Sequence, residues 1–162
     1  MTDTSETASN LKVVASFMVA MILRIVPLPK DLALLNPDWV AIVLLYWILS
    51  VPERCGVIRA WTIGLVVDAL TGRLLGQHAL AYGVMAYIGL QGKASLGVLR
   101  RPAQALWILV ILLVGQLVIL WTTPQQLPEG MAAAYWSSSL IGALMWPAVS
   151  FILSRSTGRG LH

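Results

Sequence analysis

From Ala103 to Trp121 the chain runs without a single charged residue, and Leu106 to Val114 is apolar at every position. Strands that are half buried alternate polar and apolar residues, so a run with no alternation reads as a helix buried all round or set in lipid. A membrane barrel would need alternating segments of about 10 residues. Five further segments are long and largely apolar: 13–29, 37–52, 57–72, 74–90 and 131–153. Hydrophobic residues make up 58% of the 162 positions and charged residues 11%. Soluble domains carry about 25% charged residues, and a globule this small could not bury so much apolar surface. A disordered chain is excluded on the same ground. The sequence therefore predicts an all-α integral membrane protein with six transmembrane helices. Residues 1–12 form a short polar tail, 13–154 a single membrane domain and 155–162 a second tail. The segments 37–52 and 57–72 are short against the roughly 20 residues that span a bilayer.

Loop charges predict the orientation. With the N-terminus in the cytoplasm, Lys12, Arg54, Arg59, Lys93, Arg100, Arg101, Arg155 and Arg159 fall inside, and only Lys30 and Arg73 fall outside. This asymmetry is the positive-inside pattern, and it accounts for the net charge of +4 without invoking nucleic acid. Both termini are then cytoplasmic. Trp39, Trp121, Tyr135 and Trp136 fall near the outer interface, and Trp61 and Trp107 near the inner one, as an aromatic belt requires.

Arg24 and Asp68 are charges well inside apolar segments. Asp68 belongs to the run Gly64 to Gly76, in which Gly64, Asp68, Gly72 and Gly76 follow one another every fourth residue. If the helix continues, they share one face, where the glycines admit a close neighbour. A carboxylate at membrane depth demands a partner, and two readings stand: a ligand or ion site, or a pairing residue between helices. Arg24 sits at a comparable depth in the first segment. It either pairs with Asp68 or reaches out to the headgroups. Trp146-Pro147 lies within the sixth segment, where the proline frees a backbone carbonyl and predicts a kink.

No catalytic constellation is legible. His78 and His162 have neither a second histidine nor a carboxylate at ligand spacing, and a single aspartate makes no acid–base pair. Ser137-Ser138-Ser139 lacks a nucleophile elbow, and serines in such helices bind backbone or neighbouring helices. Cys55 is the one cysteine, so neither an internal disulfide nor a cysteine metal site is expected. No cofactor is expected.

The order of several short motifs resembles a family. Pro27-Leu28-Pro29 closes the first segment, Asn36-Pro37-Asp38-Trp39 opens the second, and Leu44-Leu45-Tyr46-Trp47-Ile48-Leu49 lies within it, followed by Pro52-Glu53-Arg54. Asp68 with Gly72 and Gly76, then Tyr135-Trp136-Ser137-Ser138 and Trp146-Pro147, complete the series. Across about residues 11–155 this resembles MreD, the rod shape-determining membrane proteins of bacteria. The resemblance implies a non-enzymatic scaffold in the bacterial inner membrane, needed for rod shape and lateral peptidoglycan synthesis. It implies MreC as partner and, through it, MreB, RodA and the elongation transpeptidase. It also implies a fold like the membrane substrate-binding subunit of energy-coupling-factor transporters. The alternative is a transporter-like subunit that binds a small molecule or lipid inside the bundle.

Overall fold

The computed structural model describes residues 2–27, 36–123 and 132–157. Leu28, Pro29, Lys30, Met131, Arg159 and His162, which figure in the sequence reading, lie outside the described residues. Among those described the chain forms α-helices α1 (Thr2–Ile25), α2 (Trp39–Ser50), α3 (Val57–Thr71), α4 (Gln77–Val98), α5 (Arg101–Thr122) and α6 (Ala132–Thr157), with a 3₁₀ turn at Pro52–Arg54. Helix α1 begins at Thr2, so the polar stretch ahead of residue 13 is helical and continuous with the first apolar segment. Two spans, Ala103–Thr122 and Tyr135–Arg155, are long and apolar enough to cross a membrane by length and composition. The all-helical architecture is consistent with a membrane protein.

Helix α2 is the centre of the bundle. Every residue from Val40 to Leu49 is buried. This helix has no polar face in sequence, and a helix apolar all round belongs in an interior. It packs against α1, α4 and α6, while α3 lies on α4, and α5 fills the space beside α4 and α6. Between α1 and α2, the Trp47 indole N–H donates to Ser16 Oγ at 2.8 Å. Between α5 and α6, Gln116 bonds the Tyr135 carbonyl and Ser139, and the Tyr135 hydroxyl returns a bond to the Gln116 carbonyl at 3.0 Å. Gly142 faces Leu112 and Ile42 closely. The small residues of α6 thus serve packing within the bundle, against α5 and α2. Trp146 is also internal, with its indole N–H 3.4 Å from Gln104 Oε1, and α6 runs unbroken as helix through Pro147.

Apolar side chains cover much of the outside as well. Val14, Met18 and Ile22 on α1, Ile58, Val66 and Leu70 on α3, and Leu140 and Leu144 on α6 are exposed. In water such a surface would be a liability, whereas in lipid it costs nothing and helix packing rests on close van der Waals fit. Cys55 is buried beside the 3₁₀ turn, and burial pushes its thiol up to about 11, slightly opposed by Arg59.

The end of α3 departs from the expected continuous face. The helix stops at Thr71, and Gly72 takes up a left-handed conformation with φ 63°. The Gly72 and Arg73 amides both turn back to the Asp68 carbonyl, which closes the helix in the way glycine favours. Gly76, with φ 108°, lies in the turn before α4. Only Gly64 and Asp68 of the four share the helical face. A side chain at Gly72 would meet no neighbour, so its substitution is governed by backbone strain alone. Gly72→Ala is expected to lower stability by about 1–2 kcal/mol and Gly72→Asn by less, read as melting midpoints in mild detergent.

Candidate functional site

Arg24 and Asp68 both find their partners at one end of the bundle, where α1, α3 and α5 finish and α2, α4 and α6 begin. Asp38 caps α2: its carboxylate accepts the Ala41 amide at 3.1 Å. Asp68 does the same for α4 from a neighbouring helix, accepting the amides of Gly76 at 2.9 Å, His78 at 3.0 Å and Ala79 at 3.4 Å. A carboxylate over the first turn of a helix satisfies orphan N–H groups and meets the positive end of the helix dipole. Gly64 makes this possible. A Cβ there would stand 2.6 Å from the His78 carbonyl carbon and overlap the Ala79 backbone. Its absence lets the start of α4 settle onto α3 one turn below Asp68.

A chain of side chains joins the two carboxylates. Arg24 Nη1 lies 2.7 Å from Asp38 Oδ1, and Arg24 Nη2 lies 2.7 Å from His78 Nε2. His78 Nδ1 is 2.6 Å from Asp68 Oδ1. Guanidinium can only donate and carboxylate can only accept, so the imidazole carries its proton on Nδ1 and accepts at Nε2. The Tyr82 hydroxyl adds a further donor to Asp38, at 2.8 Å. Asp68, His78 and Tyr82 are fully buried, and Arg24 and Asp38 are mostly buried. Every member is satisfied, as a buried polar network must be.

This corrects two expectations. Arg24 does not pair directly with Asp68: its ion pair is with Asp38, and His78 stands between it and Asp68. His78 does have carboxylate contact, which sequence spacing hid because the turn 72–76 brings residue 78 back over residue 68. Asp38 and Tyr82 were missed as site residues. The one available signal was Asp38 directly before an apolar run, the position of a helix cap. Trp39 lies at the same end and donates from its indole to Asn36 Oδ1 at 2.8 Å. Gly72 and Gly76 shape the turn, and Trp146 and Pro147 lie deeper in α6, away from the network.

Above the network opens a polar cavity of about 480 Å³. Each helix or its cap supplies wall: Arg24 from α1, Asp38 from the cap of α2, Thr71 from α3, His78 from α4, Gln116 from α5 and Ser138 from α6. Arg73, in the turn after α3, adds a second guanidinium. Among the described residues no group of three or more His, Cys, Asp or Glu is placed to hold a metal ion.

An apolar helical bundle built round a buried helix and closed at one end by charge-satisfied caps is the class of protein defined here. Residues 6–155 match the model of the family described as rod shape-determining protein MreD, and the chain belongs to that family. Among curated proteins it is similar to the rod shape-determining protein MreD of Haemophilus influenzae, 29% identical over 151 residues, 91% of this chain and 90% of that protein. No solved structure matches the chain. Family membership supports a role in the determination of rod shape.

Proposed function

We propose that this protein is a non-enzymatic scaffold of the cell-elongation machinery, held in the bacterial inner membrane by six spanning helices with both termini in the cytoplasm. The observation that carries the reading is the family match across residues 6–155. It acts by contact with an MreC-like single-span partner, and through it with MreB, RodA and the elongation transpeptidase, to sustain lateral peptidoglycan synthesis. The fold likeness to the substrate-binding subunit of energy-coupling-factor transporters, which the family resemblance implies, would bring no transport function with it.

The site chemistry favours a scaffold over an enzyme. A His–Asp pair activates a nucleophile through the imidazole nitrogen left free by the aspartate. In this protein that nitrogen, His78 Nε2, is bonded to Arg24. The network holds helix ends in place and has no base to offer. Depletion in a rod-shaped host without a second copy is expected to give wide, rounded cells. Reporter fusions after Leu90 and Leu161 are expected to read cytoplasm, and fusions near Gln126 the outside. Normal rods after full depletion contradict the scaffold, and a cytoplasmic signal at Gln126 contradicts the six-span topology.

A further inference from the structure

The cavity has a chemical preference that the scaffold role does not use. Its volume of about 480 Å³ lies within the 300–1,000 Å³ typical of small-molecule sites. Among the described residues two guanidinium groups border it, and Asp38 is the one carboxylate on its wall. Asp38 is already spent, accepting from Arg24, Tyr82 and the Ala41 amide. Arg24 uses two of its five N–H groups, on Asp38 and His78. Arg73 has no ion-pair partner among the described residues. His78, holding its proton on Nδ1, is neutral and adds no charge. Among the described residues the wall therefore offers two guanidinium groups against one carboxylate, with Asp68 buried behind His78, together with surplus N–H donors on a fixed guanidinium and the hydroxyl of Ser138.

We infer that this cavity is a binding site for a phosphate group, gripped between Arg24 and Arg73. Guanidinium recognises phosphate through paired charge-assisted hydrogen bonds, and donors converging from several walls suit a tetrahedral anion with oxygens on every side. Arg24 is held in place by Asp38 and His78 before any anion arrives, so little ordering is needed at that side. Arg73 lies in an exposed turn and supplies the second guanidinium of the same cavity. The phosphate comes either from a phospholipid headgroup or from a soluble phosphate compound. That the cavity faces the outer side of the membrane rests on the orientation proposed above; the anion chemistry does not.

The test uses the full chain purified in a non-ionic sugar detergent. Retained phospholipid is measured by extraction and mass spectrometry, and inorganic phosphate is titrated into the delipidated protein at constant ionic strength, with acetate in parallel. Saturable phosphate binding is expected, weakened about tenfold by Arg73→Gln and lost in Arg73→Glu, with Arg155→Gln at the far end of the bundle unchanged. Arg73 is exposed and outside the buried network, so both variants are expected to elute as the parent does. Phospholipid that is retained by the parent, displaced by phosphate and missing from the Arg73 variants identifies a headgroup. Phosphate binding without retained phospholipid identifies a soluble compound. Absence of both, or equal binding by the parent and the Arg73 variants, overturns the site. Acetate binding as tight as phosphate overturns the phosphate assignment. Because the binding is read in detergent, failure here leaves the scaffold and its topology standing, and failure of the depletion or fusion experiments leaves this site standing.

Discussion

Replacing Asp68 with leucine is expected to remove most folded protein, at a cost of about 3–5 kcal/mol. The carboxylate is completely buried and serves three backbone amides and the His78 ring at once. Leucine leaves all of them without their acceptor, and it removes the cap that fixes the start of α4. Asp68→Asn is expected to be milder, about 1–2 kcal/mol. Its carbonyl oxygen can still accept from His78 Nδ1, but its amide group then faces a backbone N–H, donor against donor. The ring cannot rescue this by changing tautomer, because Nε2 would present a hydrogen to Arg24. Arg24→Leu is expected to give no relief to Asp68→Leu, since the charge that arginine balances belongs to Asp38. Folded yield by size-exclusion chromatography and melting midpoints in detergent read each variant. Relief in the Arg24→Leu/Asp68→Leu double variant would mean that those two residues are direct partners after all.

Gly64→Leu is expected to be at least as damaging. Even a methyl group at this position runs into the backbone of His78 and Ala79, where nothing can rotate aside. Helices α3 and α4 must separate, and the bonds from Asp68 to the α4 amides stretch beyond reach. Overpacking a well-fitted interior costs about 1–3 kcal/mol when side chains can yield, and more where the obstacle is main chain. Gly64→Ala is therefore expected to fall close to Asp68→Asn in folded yield, and Gly64→Leu close to Asp68→Leu. The control is Gly83→Ala, whose added methyl meets only the ordinary edge of Val57 and Trp61. Wild-type melting for Gly64→Ala would contradict the close approach.

The helices were legible because apolar runs announce themselves. Segment 103–121 corresponds to α5 with its ends displaced by one or two residues. The place of α2 was not drawn from its sequence, although a helix without a polar face and with prolines near both ends had little choice but the middle. The glycines misled for a physical reason. A glycine every fourth residue suits a packing face as well as it suits a helix end, and only Gly64 lies where a neighbour's backbone comes close. Asp68 was recognisable as a buried charge in need of a partner. Its partners were not, because three of them are main-chain amides, which no residue pattern displays. The Arg24–His78 bond spans 54 positions. Asp38 alone carried a local sign, and that sign speaks of a helix start, with nothing to indicate an ion pair to α1.

The pairing scheme bears on how such a chain enters a bilayer during synthesis. The guanidinium of α1 finds its counter-charge at the very next helix, and the carboxylate of α3 finds its donors at the start of α4. On the proposed six-span placement, each costly group is neutralised or satisfied within its own hairpin of consecutive helices. Neither has to wait in lipid for a distant part of the chain to emerge from the ribosome. The nascent protein can be released from the insertion machinery two helices at a time. The Arg24–His78 bond is then the latch between two hairpins that were already at ease in the membrane.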